Sequence, residues 1–157
     1  MSFKGQTAWI TGASSGIGAA LAKALAAQGA RLVLSGRKLD ALEAVAAECG
    51  GDCLILPFET TDIAALAPAV EQAWNWSGGI DLLVNTAGIS QRSLAVEPGY
   101  AVYERIIDVD LLAPIALTQA ILPRMVARKS GRLAYISSIA GKVGVPMRTA
   151  YCAAKFG

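Results

Sequence analysis

The C-terminal stretch ISSIAGKVGVPMRTAYCAAKFG, Ile136 to Gly157, gathers polar side chains that can do chemistry. Tyr151 and Lys155 stand four residues apart, which on a helix places them one turn apart on the same face. A free tyrosine titrates near pH ~10, too high for efficient proton transfer at neutral pH. A neighbouring cation favours the phenolate, so the pair is useful where either residue alone is not. The sequence has no histidine. That removes a Ser-His-Asp triad and any histidine-ligated metal.

A second group lies near the N-terminus. TGASSGIG, Thr11 to Gly18, places Gly12, Gly16 and Gly18 between an apolar run and a helical pattern. Such a turn lets backbone approach a phosphate, and the helix N-terminus offers free N–H groups and the positive end of its dipole. Ser14, Ser15 and Ile17 belong to the same loop. No Gly-Lys-Ser/Thr follows, which disfavours a nucleoside-triphosphate P-loop. In a dinucleotide site the ribose end lies beyond the second strand, where a carboxylate would bind the 2′-hydroxyl of NAD. Here the sequence is SGRK, Ser35 to Lys38, with no carboxylate until Asp40. Arg37 can hold a phosphate bidentately and Lys38 adds charge, which favours NADP(H) over NAD(H).

These groups must be positioned by alternating strands and helices. Strands are expected at Thr7–Ile10, Arg31–Ser35, Cys53–Phe58, Ile80–Asn85 and Arg132–Ser138. Helical patterns cover Ile17–Gln28 (ended by Gly29), Leu39–Glu48, Thr61–Trp76 (capped by Thr60 or Thr61) and Tyr100–Lys129 (bent at Pro114, with a turn at Gly131). Another helix begins near Thr149. Five strands alternating with helices predict a doubly wound parallel α/β sheet, covered on both faces, in a single domain over residues 1–157.

Bulk properties narrow the class. Hydrophobic residues make up 54% of the chain, and mean hydropathy is +0.47. The excess suggests elements buried on more than one side, or a face that packs against a further segment or subunit. The most apolar stretch, LLAPIALTQAILPRMV, is broken by Pro114, Thr118, Gln119 and Pro123, and is shorter than the roughly 20 residues a membrane span needs. Net charge is +2 with no basic run, so nothing points to nucleic acid. The N-terminus lacks a signal-peptide core. Cys49, Cys53 and Cys152 make no disulfide framework, and free thiols in the cytoplasm are the expectation.

The glycine spacing, T-G-x-x-x-G-x-G, resembles that of the short-chain dehydrogenase/reductase family. The likeness runs in order along nearly the whole chain. NTAG, Asn85 to Gly88, follows the fourth strand where the family has N-N-A-G. YCAAK matches Y-x-x-x-K, and Ser138 precedes Tyr151 by the family's interval, 151 − 138 = 13 residues. GISQRS, Gly88 to Ser93, with YCAAK is similar to NADP-linked reductases of lipophilic carbonyls. The resemblance implies a Rossmann fold and carbonyl–alcohol interconversion. It implies that Tyr151 is the acid/base, that Lys155 holds the nicotinamide ribose and that Ser138 donates to the substrate oxygen. It implies cofactor contacts from Gly12, Ser14, Ser15, Gly16, Ile17, Gly18, Arg37, Lys38, Glu59, Asn85, Ala87, Gly88, Tyr151 and Lys155, and assembly as a homodimer or homotetramer.

Three positions depart from the family pattern. Asp110 stands where an asparagine completes the catalytic set, and an ionised aspartate accepts hydrogen bonds without donating them. Thr86 replaces the second asparagine of N-N-A-G. Glu59 replaces an aspartate near the adenine. The family's chain also continues past Y-x-x-x-K with further strands and a substrate loop, so these 157 residues are expected to be its N-terminal, cofactor-binding part. Two other readings share the motifs. One is a nucleotide-binding or scaffolding protein without turnover. The other is a relative that uses the cofactor for epimerisation or dehydration, against which the glycine and Ser–Tyr spacings count.

Overall fold

The computed structural model describes residues 2–157. Strands β1 (Thr7–Thr11), β2 (Arg31–Ser35), β3 (Cys53–Ile55), β4 (Leu82–Asn85) and β5 (Arg132–Tyr135) form one parallel sheet in the order β3-β2-β1-β4-β5. Between them run helices α1 (Gly16–Ala26), α2 (Leu39–Cys49), α3 (Ile63–Ser77), α4 (Tyr100–Ile107) and α5 (Ala113–Arg128), and α6 (Thr149–Phe156) follows β5. This is the doubly wound Rossmann arrangement. Its strand order reverses between β1 and β4, and ligands of such sheets bind at the carboxyl ends flanking that point. The register aligns those ends: Thr11 lies opposite both Ser35 and Asn85.

Alternation along the strands divides the core. Ala8, Ile10, Leu32, Leu34 and Val84 face α1 and α2, packing on Ala22, Leu25 and Leu42. Trp9, Val33 and Leu83 point to the opposite face, against Leu66, Val70, Leu117 and Ile121 of α3 and α5. Both faces are covered, so β1 is buried at every position. The buried Trp9 indole N–H donates to Ser35 Oγ at 2.8 Å, which satisfies its one polar atom. A smaller cluster joins Ile106 of α4 to Ala150 and Ala154 of α6, with Tyr103, Leu111 and Tyr151 packed against it. That cluster is what holds the tyrosine helix.

Element boundaries differ from expectation in several places: β4 opens at Leu82 and not Ile80, and β5 closes at Tyr135, so that Ser138 lies beyond the strand. The long helix is not one rod bent at Pro114. It opens into a π-helical turn at Asp108–Leu112 before α5 begins. Pro114 has no N–H for the carbonyl four residues back, and the wider turn accommodates it. The cap of α3 is Asp62, whose side chain accepts from the Ala64 N–H at 3.1 Å, not Thr60 or Thr61. β3 is only three residues long, Cys53–Ile55 and not Cys53–Phe58, although the Leu56 and Phe58 N–H groups still donate to the Leu34 and Gly36 carbonyls on either side of Pro57. By length and composition the run Tyr100–Arg128 is also long and apolar enough to cross a membrane, despite its prolines. Its Leu117, Ile121 and Met125 pack onto the sheet.

Candidate active site

A cavity of about 320 Å³ opens at the carboxyl ends of β1 and β4. Its wall takes Gly12, Ser14, Ser15, Gly16, Ile17 and Gly18 from the loop before α1, Arg37 and Glu59 from beyond β2 and β3, and Ala87 and Gly88 from beyond β4. The loop is tight because its glycines allow nothing larger. A Cβ on Gly12 (φ 65°) would lie 2.8 Å from the Ala87 backbone, and one on Gly18 would lie 2.3 Å from the Gly12 carbonyl oxygen. Gly16 (φ 53°) instead faces open space. Ser15 caps α1 by position without a side-chain hydrogen bond, which leaves first-turn N–H groups to a ligand. An open glycine edge, unclaimed donors and a helix N-terminus fit a pyrophosphate.

Thr86 is held against the end of β1 by both its side chain and its backbone. Its hydroxyl donates to the Thr11 carbonyl, and its N–H donates to Thr11 Oγ1 at 3.2 Å. This ties the β4 loop to the end of β1. Asn85 is buried at the end of β4, outside the wall of this cavity, and its Nδ2 has no protein partner. Lys38 is exposed and stands outside the cavity wall.

The chemical group lies beside this cavity, linked to it through Ile89. The Ile89 N–H donates to Asp110 Oδ1 at 2.7 Å. Asp110 Oδ2 lies 3.2 Å from Lys155 Nζ. That contact is Coulombic, since Oδ2 meets no donor at hydrogen-bond geometry. The Asp110 side chain is fully buried and that of Lys155 is 11% exposed. Lys155 Nζ also donates to the Ile136 carbonyl at 3.2 Å and sits 5.6 Å from the Tyr151 ring centre. Arg148, one turn before the tyrosine, has its guanidinium 5.8 Å from the same ring. The ring is therefore flanked by two cations, of which only Lys155 was legible as a motif. Ser138 opens a short 3-10 turn, Ile139–Gly141, and its Oγ accepts from the Ala140 N–H at 3.2 Å. Its hydroxyl hydrogen remains free to donate. Gly141 seats that turn on α6, because a Cβ there would meet the Lys155 carbonyl oxygen at 2.3 Å.

The adenosine-side wall holds a group that sequence reasoning missed. Arg105, in the last turn of α4, donates from Nη2 to Glu59 Oε2 at 2.9 Å and from Nη1 to Thr61 Oγ1 at 3.0 Å. Arg37 Nη1 lies 3.8 Å from the same glutamate oxygen. Burial pushes the Glu59 carboxyl up, but the Arg105 bond and charge, the Thr61 N–H and the Arg37 charge outweigh it and hold it below the ordinary 4.5.

Residues 6–157 match the family model described as short chain dehydrogenase. The chain belongs to the short-chain dehydrogenase family. It is 40% identical over 154 residues to dehydrogenase/reductase SDR family member 7 from Homo sapiens, covering 94% of this chain and 45% of that one. It is 39% identical over 156 residues to member 7B from Bos taurus, covering 93% and 48%. Among solved structures, a metagenomic short-chain oxidoreductase in complex with NADP superposes with a TM-score of 0.94 at 38% identity, covering all of this chain and 73% of that one. The chain spans about half the length of the curated relatives it matches. The cavity lies at the strand ends, where doubly wound sheets bind their ligands.

Proposed function

We propose that the chain is the cofactor-binding part of an NADP(H)-dependent oxidoreductase that interconverts a carbonyl and a primary or secondary alcohol. The observation that carries this reading is the continuity between cavity and reacting group: Ile89 lines the cavity and its N–H holds Asp110, which faces Lys155 beside Tyr151. The nicotinamide, when bound, supplies or accepts hydride at the substrate carbon. The protein's own residues handle the rest. The loop from Gly12 to Gly18 receives the pyrophosphate, and Arg37 answers a 2′-phosphate. Tyr151 exchanges a proton with the substrate oxygen, and Ser138 donates a hydrogen bond to it. Lys155 sits beside the tyrosine ring and would hold the cofactor ribose. The NADP complex of the metagenomic relative supports the choice of nucleotide.

GISQRS, in the loop after β4, supports a lipophilic carbonyl substrate through its likeness to reductases of that class. The three free cysteines support a cytoplasmic setting. We also infer self-association into a homodimer or homotetramer through the outer face of the π turn and α5, where Leu112, Ile115, Leu122 and Val126 are exposed.

The test has two parts on one preparation. NADPH should bind more tightly than NADH, and tighter NADH binding would sink the choice of cofactor. In an active full-length form, Tyr151→Phe should abolish turnover with a ketone panel and leave NADPH affinity within about twofold, as expected for a group that acts in the transition state. Substantial residual turnover removes the tyrosine from its role. One observation favours a second reading, nucleotide binding without turnover: Lys155 is engaged by the buried Asp110. NADPH binding with no absorbance change across the panel in the unaltered full-length protein would select it.

A further inference from the structure

The NADP(H) reading leaves a difficulty at the adenosine end, because Glu59 puts a carboxylate in the same wall as Arg37. A carboxylate near a 2′-phosphate repels it, and it also competes for the arginine that should bind it. The side chains resolve the conflict. Glu59 Oε2 takes its short bond, 2.9 Å, from Arg105, while Arg37 stays at 3.8 Å, beyond hydrogen-bond distance, with 62% of its side chain exposed. Arg105 is anchored a second time on Thr61 Oγ1. α4 therefore supplies a guanidinium fixed at both ends and committed to the glutamate.

We propose that Arg105 is a positioning residue for cofactor specificity: by holding Glu59 it leaves Arg37 free for the 2′-phosphate of NADP(H). Two guanidinium groups around one carboxylate leave this wall with a net positive charge. Without Arg105 the wall would be neutral, and Glu59 would be the nearest partner for Arg37. Arg105 acts on the phosphate only through those two residues. Its effect should thus fall on the ratio of NADPH to NADH affinity and not on nucleotide binding in general. The inference rests on the NADP(H) reading.

The experiment is a double-mutant cycle on the intact chain, with NADPH and NADH affinities measured by fluorescence titration and folding checked by circular dichroism. Arg105→Gln should weaken NADPH binding about 3–10-fold, the range of a partly exposed ion-pair interaction, and barely change NADH binding. Adding Glu59→Gln should restore most of the NADPH preference, and Arg105→Lys, which keeps the charge, should retain it. If Arg105→Gln weakens both nucleotides equally, or if Glu59→Gln does not restore the ratio, Arg105 only supports the loop and the proposal fails. An unaltered protein that binds the two nucleotides equally removes the cofactor reading, and this inference with it. A normal NADPH preference that Arg105→Gln leaves unchanged overturns this inference alone.

Discussion

Asp110 and Lys155 face each other across 3.2 Å with almost no access to water. Breaking such a pair costs more than the pair contributes, because the remaining charge stays buried. Asp110→Ala should therefore destabilise the chain by about 3–5 kcal/mol, read as a lower denaturant midpoint. Asp110→Asn should cost less, since its Oδ1 can still accept from the Ile89 N–H while Lys155 keeps the Ile136 carbonyl. A loss of under about 1 kcal/mol for the alanine variant would place the pair among contacts worth little. The contrast with Tyr151 shows what was legible at this scale. Lys155 is tied to Tyr151 by a four-residue step, so their proximity is written in the helix period. Arg105 and Glu59 are 46 residues apart. An arginine on an amphipathic helix reads as a solvated charge until the fold brings α4 over the end of β3. The Asp110 departure was visible as a residue type, but its buried pairing with Lys155 depends on how α6 packs against the π turn.

At the level of elements, apolar patterning located all five strands and the α-helices, because two-sided burial leaves continuous apolar runs in β1 and β2, but it missed the π turn at Asp108–Leu112 and the 3-10 turn at Ile139–Gly141. Ends were less legible. Asp62 displaced the expected threonine caps because three adjacent residues could cap and only backbone geometry chooses among them. Pro114 was seen as a disturbance, but whether it produces a kink or a π turn depends on what the helix must face. Here the turn carries Asp110 inward to Lys155. The seating of α6 gives a separate test. Gly141 lets the 3-10 turn rest directly on the Lys155 carbonyl. Gly141→Ala should push that turn and α6 apart and cost about 1–3 kcal/mol of overpacking. Turnover of the full-length form should fall tenfold or more, in line with the sensitivity of catalysis to small misplacements, and NADPH affinity should fall less, since the loop from Gly12 to Gly18 lies on other elements. Unchanged turnover would mean that the turn does not set the register of Ser138 against Tyr151.

For the whole molecule, part of the apolar excess is buried on the two faces of the sheet and part lies on the outer face of α5. Leu117, Ile121 and Met125 form the stripe that packs on β1 and β4. Ile115, Leu122 and Val126 form a second stripe at helical spacing, and they are 44%, 40% and 65% exposed. Leu112 and Tyr100 extend it along the same helical run. A helix apolar on two faces has a second surface to bury, and this one is long enough for a neighbour of equal length to lie beside it. A second copy of the chain would satisfy that need by two-fold symmetry, because each stripe would meet its own equivalent. Sedimentation of the unaltered chain should give a multiple of 16.2 kDa. Charges placed in the stripe, Leu122→Glu with Val126→Glu, should return the mass to 16.2 kDa. The nucleotide cavity lies at the strand ends, away from this face, so the doubly substituted chain should bind NADPH as tightly as before. A monomeric unaltered chain, or a multimer that survives both glutamates, would exclude this face as the contact between copies.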